Sequence, residues 1–345
     1  MTSAPPLLLV LGPAGHGVTR YGEDVASAVR LVDPSTLVVH VADVPAGERA
    51  LAEAGPGARV HLHATDRLFG SGPEDAAEVV ERWARTVRLT LTLHDVPQPS
   101  DGTMFARRRA AYTRMVAAVE RVTVNSVHEQ LLMDEFLPDA ARAHAIALGA
   151  RTGIRPVDPG VGRPSDLRVL IAGFVYPGKG HRPAVAAAAR AAHALRAEGE
   201  VVAGVAVRAI GAPSRGHEAD VVRLREEAAE LGVAVEVTGF LDDAEFAAEL
   251  VAPGIPLAAH EHVSASRSML DWVEAGRRPL VVDSRYAAEM DDLRPGTLAR
   301  YDGADLAARL AAAWRDPSST RLAPGASLAP TLDDVAASYL AWWAA

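Results

Sequence analysis

Short runs of Val, Leu and Ile alternate with longer, Ala-rich amphipathic stretches along the whole chain, and the alternation breaks once, at RTGIRPVDPGVGRPSD (151–166). Strands joined through helices run parallel, because each crossover returns over a face of the sheet, and their carboxyl ends then share one edge where ligands collect. In the first half, strands are expected at Leu7–Leu11, Thr36–Ala42, Arg59–His63, Val87–His94, Arg121–Val124 and His144–Leu148. In the second, they are expected at Leu167–Ala172, Val201–Ile210, Val233–Val237, Ile255–Ala259 and Pro279–Val282. The prolines and glycines of 151–166 stop helix and strand alike, so this segment reads as a linker. With 345 residues the chain has enough length for two cores. The prediction is therefore α/β, with two Rossmann-like, doubly wound domains over 1–155 and 167–330. A last helix over 331–345 has Thr331 as its N-cap and an apolar face containing Leu340, Trp342 and Trp343, which has to pack on something.

Composition removes several classes of function. Cysteine is absent, which excludes disulfides, thiolate catalysis and cysteine-bound zinc and fits a cytoplasmic address. The net charge of -9 argues against general nucleic-acid binding, which needs a basic face. No apolar run is long enough to span a bilayer, and the stretch up to Leu11 lacks the basic start and cleavage site of an export signal. The one lysine, Lys179, stands out in a chain whose other permanent cations are all arginine. A compact ammonium suits a single phosphate oxygen, where a planar guanidinium does not.

Two segments carry the chemistry. In VLIAGFVYPGKGHR (Val169–Arg182) a buried strand runs into a glycine-bearing turn and then a helix. Backbone N–H groups at Gly173, Gly178 and the helix start, joined by Lys179, make an anion site. The spacing is not that of a Walker A loop. In HEHVSASRSMLDWVEAGRRP (His260–Pro279), Ser264 or Ser266 can cap a helix whose free amides at Ser266, Arg267 and Ser268 face a second anion. The Arg267 guanidinium suits a phosphate edge, and Asp271, one turn on, is placed to accept from ribose hydroxyls. In the first half, polar clusters follow successive strands: Gly15, His16 and Gly17, then His61, His63 and Asp66, then His94 and Asp95. The histidines also admit a metal-site reading, although no established ligand spacing is present. Gly12, Gly15 and Gly17 with Asp43 give at best a poor dinucleotide fingerprint. A basic helix from Phe105 to Val122, with Arg107, Arg108, Arg109, Arg114 and Arg121, reads either as a solvated face or as a weak contact to anionic lipid at the inner membrane surface.

These motifs resemble the glycosyl transferases group 1 family of retaining, GT-B-fold enzymes. GFVYPGKG resembles its strand–turn–helix carrying lysine and glycine, and SASRSMLDWVEAGRRPLVV its donor-site helix and following strand. LGPAGHGVTRYGEDVA, LTLHDVP, VTVNSVHEQ and VTGFLDDAEFAAEL resemble further family segments in the same order, so the likeness spans nearly the whole chain. The resemblance implies two domains facing a cleft, a nucleotide-diphosphate sugar as donor substrate, no metal and no other cofactor. The acceptor is then a carbohydrate, a lipid-linked molecule or a small molecule. It implies that Lys179 and His94 act at the reaction centre and that Asp271 stands where a glutamate holds ribose. Donor contacts fall to Gly15, Gly17, Gly173, Gly178, Phe240, Ser264, Ala265, Ser266, Arg267 and Ser268, and acceptor-side contacts to His16, His63, Asp66 and Asp95. The final helix is expected to return to the first domain. Val263 stands where the family has its first glutamate, with Glu261 the nearest acid, and Phe174 or Tyr176 stands where it has an arginine. A nucleotide-sugar binder without turnover, a nucleotide-sugar epimerase or hydrolase, and a nicotinamide-dependent oxidoreductase are the competing readings.

Overall fold

The computed structural model describes residues 4–138, 143–152, 164–260 and 263–345, so Glu261 and most of the expected linker lie outside the described residues. The chain divides into two compact units: the residues up to Ala150 together with Ala329–Ala345, and Arg151–Leu328.

The first unit contains β1 (Leu7–Leu11), α1 (Gly17–Val32), β2 (Val38–Val41), α2 (Val44–Ala54), β3 (Arg59–Ala64), α3 (Pro73–Ala84), β4 (Arg88–Leu93), α4 (Phe105–Ala118), β5 (Arg121–Val124), α5 (Val127–Phe136) and β6 (His144–Ala145). Its six strands are parallel in the order β2-β1-β3-β4-β5-β6. The strand order reverses between β1 and β3, which opens a crevice at their carboxyl ends. β2 starts later than expected because Thr36 donates its amide to Asp33 and closes the turn after α1. β6 is shorter than expected because β5 ends at Val124, where Ser126 caps α5 and leaves no further strand to pair with. The Phe105–Val122 helix ends at Ala118, and Arg121 belongs to β5.

The second unit contains β7 (Leu167–Ala172), α6 (His181–Ala197), β8 (Val205–Ile210), α7 (Glu218–Glu230), β9 (Ala234–Val237), α8 (Asp243–Val251), β10 (Ile255–Ala258), α9 (Arg267–Glu274), β11 (Leu280–Val282), α10 (Arg285–Leu293), β12 (Ala299–Tyr301) and α11 (Leu306–Arg315). Its strands are also parallel, in the order β12-β11-β10-β7-β8-β9. Here the reversal lies between β7 and β10. The sequence reading did not anticipate β12, whose three residues Ala-Arg-Tyr carry too little apolar pattern to stand out. Each sheet buries its own aliphatic cluster, centred on Leu62, Leu89 and Leu91 in the first unit and on Val169, Val207 and Leu257 in the second.

The last helix, α12 (Leu332–Ala344), belongs to the first unit. Thr331 and Asp334 form its capping box. It packs on α1 and presents Tyr339, Trp342 and Trp343 to the ring of His61, with centroids 5.1–5.9 Å apart. The carbonyls at its end accept from Arg59 and Arg121. Trp343→Ala is accordingly expected to destabilise the first unit by about 3–5 kcal/mol, the usual cost of emptying a buried aromatic site. Thermal unfolding followed separately for the two units is the check. A loss below about 1 kcal/mol would show that α12 is not part of that core.

Candidate functional site

In the second unit, the reversal of strand order brings the turn after β7 beside the turn after β10. Gly173 follows β7 with φ +101°, and a Cβ there would lie 3.1 Å from the Lys179 Nζ, so glycine leaves the ammonium its place. Gly180, with φ +91°, is closer still to its surroundings: its Cβ would meet the Ala259 carbonyl oxygen at 2.0 Å, so only glycine lets α6 start against β10. α6 has no side-chain cap, which leaves the amides of its first turn turned toward the same edge.

Lys179 is 5% exposed. Its Nζ lies 2.6 Å from His260 Nε2 and donates to Ser268 Oγ at 2.9 Å. Among the described residues no carboxylate is in ion-pair reach of it. Burial, only partly countered by the negative field of Asp271, lowers its pKa from 10.5 to about 8. His181, at the start of α6, is buried with neither ring nitrogen hydrogen-bonded. Burial and the lysine charge hold it neutral, with its pKa lowered to about 3. His260 is likewise pushed well below the ordinary range, first by burial and then by Lys179.

The Ser-rich turn before α9 reaches Lys179 through Ser268. Ser266 is the helix cap, its hydroxyl accepting from the Met269 amide, while Ser264 is buried nearby. The amide of Ser266 is not free for an anion, because it donates to the Tyr286 hydroxyl at 3.0 Å. Arg267 also differs from expectation. Its guanidinium pairs with Asp271, at 2.9 Å, and with Glu274 on its own helix. Asp271 therefore already holds a cation, and a second, Arg151, lies 3.8 Å away. Glu274 is fully buried, and its carboxylate also accepts the Arg151 amide at 2.6 Å. The sequence reading missed it, although its position seven residues after Arg267 puts both on one helix face. Ala265 lies between the two serines, Gly178 lies in the turn before Lys179, and Phe240 is 68% exposed in the turn after β9.

In the first unit the polar residues divide into two groups. His61 and His63 lie within β3, which runs on to Ala64, rather than after it. His63 Nδ1 is 3.0 Å from His94 Nε2, and His61 lies 3.0 Å from both the Thr90 and Thr92 hydroxyls. Thr92 in turn meets the Tyr339 hydroxyl of α12 at 2.7 Å. Burial first, and mutual proximity second, keep all three imidazoles neutral, with the pKa of His61 lowered to about 3. His16 caps α1, accepting from Val18, and burial with the nearby Arg67 lowers its pKa too. Gly15 and Gly17 are exposed beside it. A small cavity reaches from Thr19 and Gly22 to His61 and His63. Among the described residues no group of three or more His, Asp or Glu is arranged to hold a metal ion.

The second group is built on Arg108. This buried guanidinium holds Asp95 at 2.9 Å, Asp101 at 2.7 Å and Asp66 at 3.3 Å. Asp95 has φ +58°, a conformation that costs a non-glycine residue energy and is fixed here because Arg108 also takes its carbonyl. The sequence reading placed Arg108 in a basic stripe, but three of the five arginines of 105–122 are paired: Arg107 with Glu74, Arg108 as above, and Arg114 with Glu81. No helix among the described residues is long and apolar enough to cross a membrane.

Two parallel, doubly wound units on one chain, with the last helix returned to the first, give this protein the GT-B fold. The solved structures it is similar to are of that fold. HepE of Anabaena, in complex with UDP and glucose, matches with a TM-score of 0.68 at 15% identity over 99% of this chain and 97% of HepE. The UDP-forming α,α-trehalose-phosphate synthase of Burkholderia vietnamiensis matches with 0.55 at 12% identity over 87% of this chain and 70% of that one. TarM of S. aureus matches with 0.54 at 12% identity over 83% of this chain and 51% of TarM. No family model matches the chain, and neither does any curated protein.

Proposed function

We propose that the chain is a glycosyltransferase that moves a sugar from a nucleotide-diphosphate sugar to an acceptor, with the diphosphate bound on the second unit beside Lys179. One observation supports this reading above the others. The Lys179 ammonium is buried at the reversal of strand order, next to the first turns of two helices, with no carboxylate partner among the described residues. An ammonium out of water needs an anion, and helix N-termini favour phosphate. Ser264, Ala265 and Ser268 shape the diphosphate pocket with Gly173 and Gly178, Asp271 faces the ribose and Phe240 the base. On the first unit, His94, His63, His16, Asp66 and Asp95 serve the acceptor side, which takes a carbohydrate, lipid-linked or small-molecule hydroxyl. Because HepE and the trehalose-phosphate synthase are named with UDP, UDP-sugars are the first donors to test.

The test is a thermal-shift screen with UDP, GDP, ADP and UDP-glucose. At least one of these is expected to raise the melting temperature of the parent, since a ligand selective for the native state stabilises it, and to raise that of Lys179→Ala by less. If none shifts the parent, the reading is wrong. A binder without turnover is the second reading, favoured by Val263 in place of the family acid and by the engagement of Arg267 with Asp271 and Glu274. It predicts stabilisation by nucleotide sugar without release of nucleoside diphosphate, with or without an acceptor.

A further inference from the structure

The Lys179 ammonium is held in an unusual way. Among the described residues its nearest neighbour is neither a second cation nor a carboxylate but the ring nitrogen of His260. An ammonium has no lone pair, so at 2.6 Å the imidazole Nε2 has to accept, which puts the imidazole proton on Nδ1. That Nδ1 is buried and has no hydrogen-bond partner among the described residues. Burial first, and then the neighbouring Lys179 charge, keep the His260 ring neutral. Among the described residues, the groups facing the ammonium are His181 from α6, His260 from the end of β10, and Ser268 from α9, with Asp271 acting from further along α9 while it is paired to Arg267.

We infer that His260 is the positioning residue of this anion site. It fixes the Lys179 ammonium by accepting from it, adds no charge of its own, and so leaves the diphosphate of a nucleotide sugar as the counter-ion, taken up together with a proton. This rests on the reading of the site as a diphosphate pocket. The free protein, with its lysine pKa near 8, carries the ammonium only in part under mildly alkaline conditions. A diphosphate beside the lysine favours the charged form, so binding above that pH draws a proton from solution and weakens as pH rises. A guanidinium in the place of His260 would stay charged and bind phosphate without this dependence.

Because Lys179 is the one lysine in the chain, labelling with ¹³C-lysine gives a single side-chain resonance whose pH titration reports this group directly. The parent is expected to titrate near pH 8, and UDP-glucose to move the midpoint up by about one unit or more, with affinity falling up to about tenfold per pH unit above the free midpoint. His260→Leu, which keeps the bulk and removes the acceptor, is expected to lower the free midpoint. His260→Gln, whose amide oxygen accepts, is expected to restore it to within about half a unit. A parent midpoint near the ordinary value of about 10.4 overturns the inference, as does an identical midpoint in the parent and His260→Leu. Should His260→Leu fail to fold, the parent and His260→Gln titrations decide, together with calorimetry of UDP-glucose binding at pH 8.5 in two buffers of different ionisation enthalpy. Equal heats mean no proton uptake and overturn the inference. A low, His260-dependent midpoint that UDP-glucose, UDP, GDP and ADP all leave in place refutes the diphosphate reading while retaining His260 as the lysine's support.

Discussion

Lys179→Ala is expected to lower the rate of sugar transfer by on the order of 10² or more while weakening nucleotide-sugar binding less, because charge on the leaving diphosphate grows toward the transition state. The same substitution should not destabilise the free protein. Lys179 is buried with no carboxylate in ion-pair reach among the described residues, so its removal relieves a desolvation cost. Lower activity with equal or higher stability is the signature of a functional rather than a structural charge. Lys179→Arg should recover only part of the rate. The ammonium sits 3.1 Å from where a Cβ on Gly173 would be and 2.6 Å from His260, and a planar fork does not fit that space. Steady-state kinetics with a donor and an acceptor in hand decide the matter. Parental rates in Lys179→Ala would remove Lys179 from the mechanism.

Acid is the second large effect. His61, His63 and His94 in the first unit, and His181 and His260 in the second, are all held neutral by burial, below the 6.5 of an unfolded histidine. Between pH 6.5 and the much lower values of the folded state, the unfolded chain binds more protons than the native one. Stability that is intact above pH 6.5 is therefore lost as pH falls. Each histidine contributes at most about 1.4 kcal/mol per pH unit, so the three of the first unit set a limiting slope of about 4 kcal/mol per pH unit. Carboxylates stabilised by hydrogen bonds, such as Asp75 and Asp334, act only at lower pH, since the loss they cause begins only as pH falls toward the 3.8 of an unfolded aspartate. The first unit should thus unfold well before pH 4. Circular dichroism with urea melts at pH 7, 6 and 5 would show it, and His61→Asn should reduce the slope by about a third. Flat stability from pH 7 to pH 5 would contradict the neutral, buried assignment.

Most of the strand framework was legible because buried parallel strands read as unbroken aliphatic runs, such as Leu7–Leu11 and Leu167–Ala172, with their ends at glycine or a polar residue. β12 was not, because its pairing comes from its place at the edge beside β11 rather than from its own residues. The approach of Lys179 to the serine turn could be expected from two strand–turn–helix units in one sheet. The role of His260 could not, because a histidine after a strand becomes informative only when the strand order places it against Lys179. Arg267 was misjudged for a different reason. Its partners, Asp271 and Glu274, were visible at helical spacing, but the attraction of a phosphate was weighed without the acids that compete for the same guanidinium.

The return of α12 to the first unit has a consequence for how the protein is made. The second unit is a single stretch, Arg151–Leu328, whereas the first waits for its last piece. At translation rates of about 5–20 residues per second, the 195 residues that follow Ala150 take about 10–40 s to appear. Throughout that interval the His61 ring lacks Tyr339, Trp342 and Trp343, and the Thr92 hydroxyl lacks Tyr339. The half that the ribosome makes first is therefore completed by the last helix made, and until then the His61 face stays uncovered.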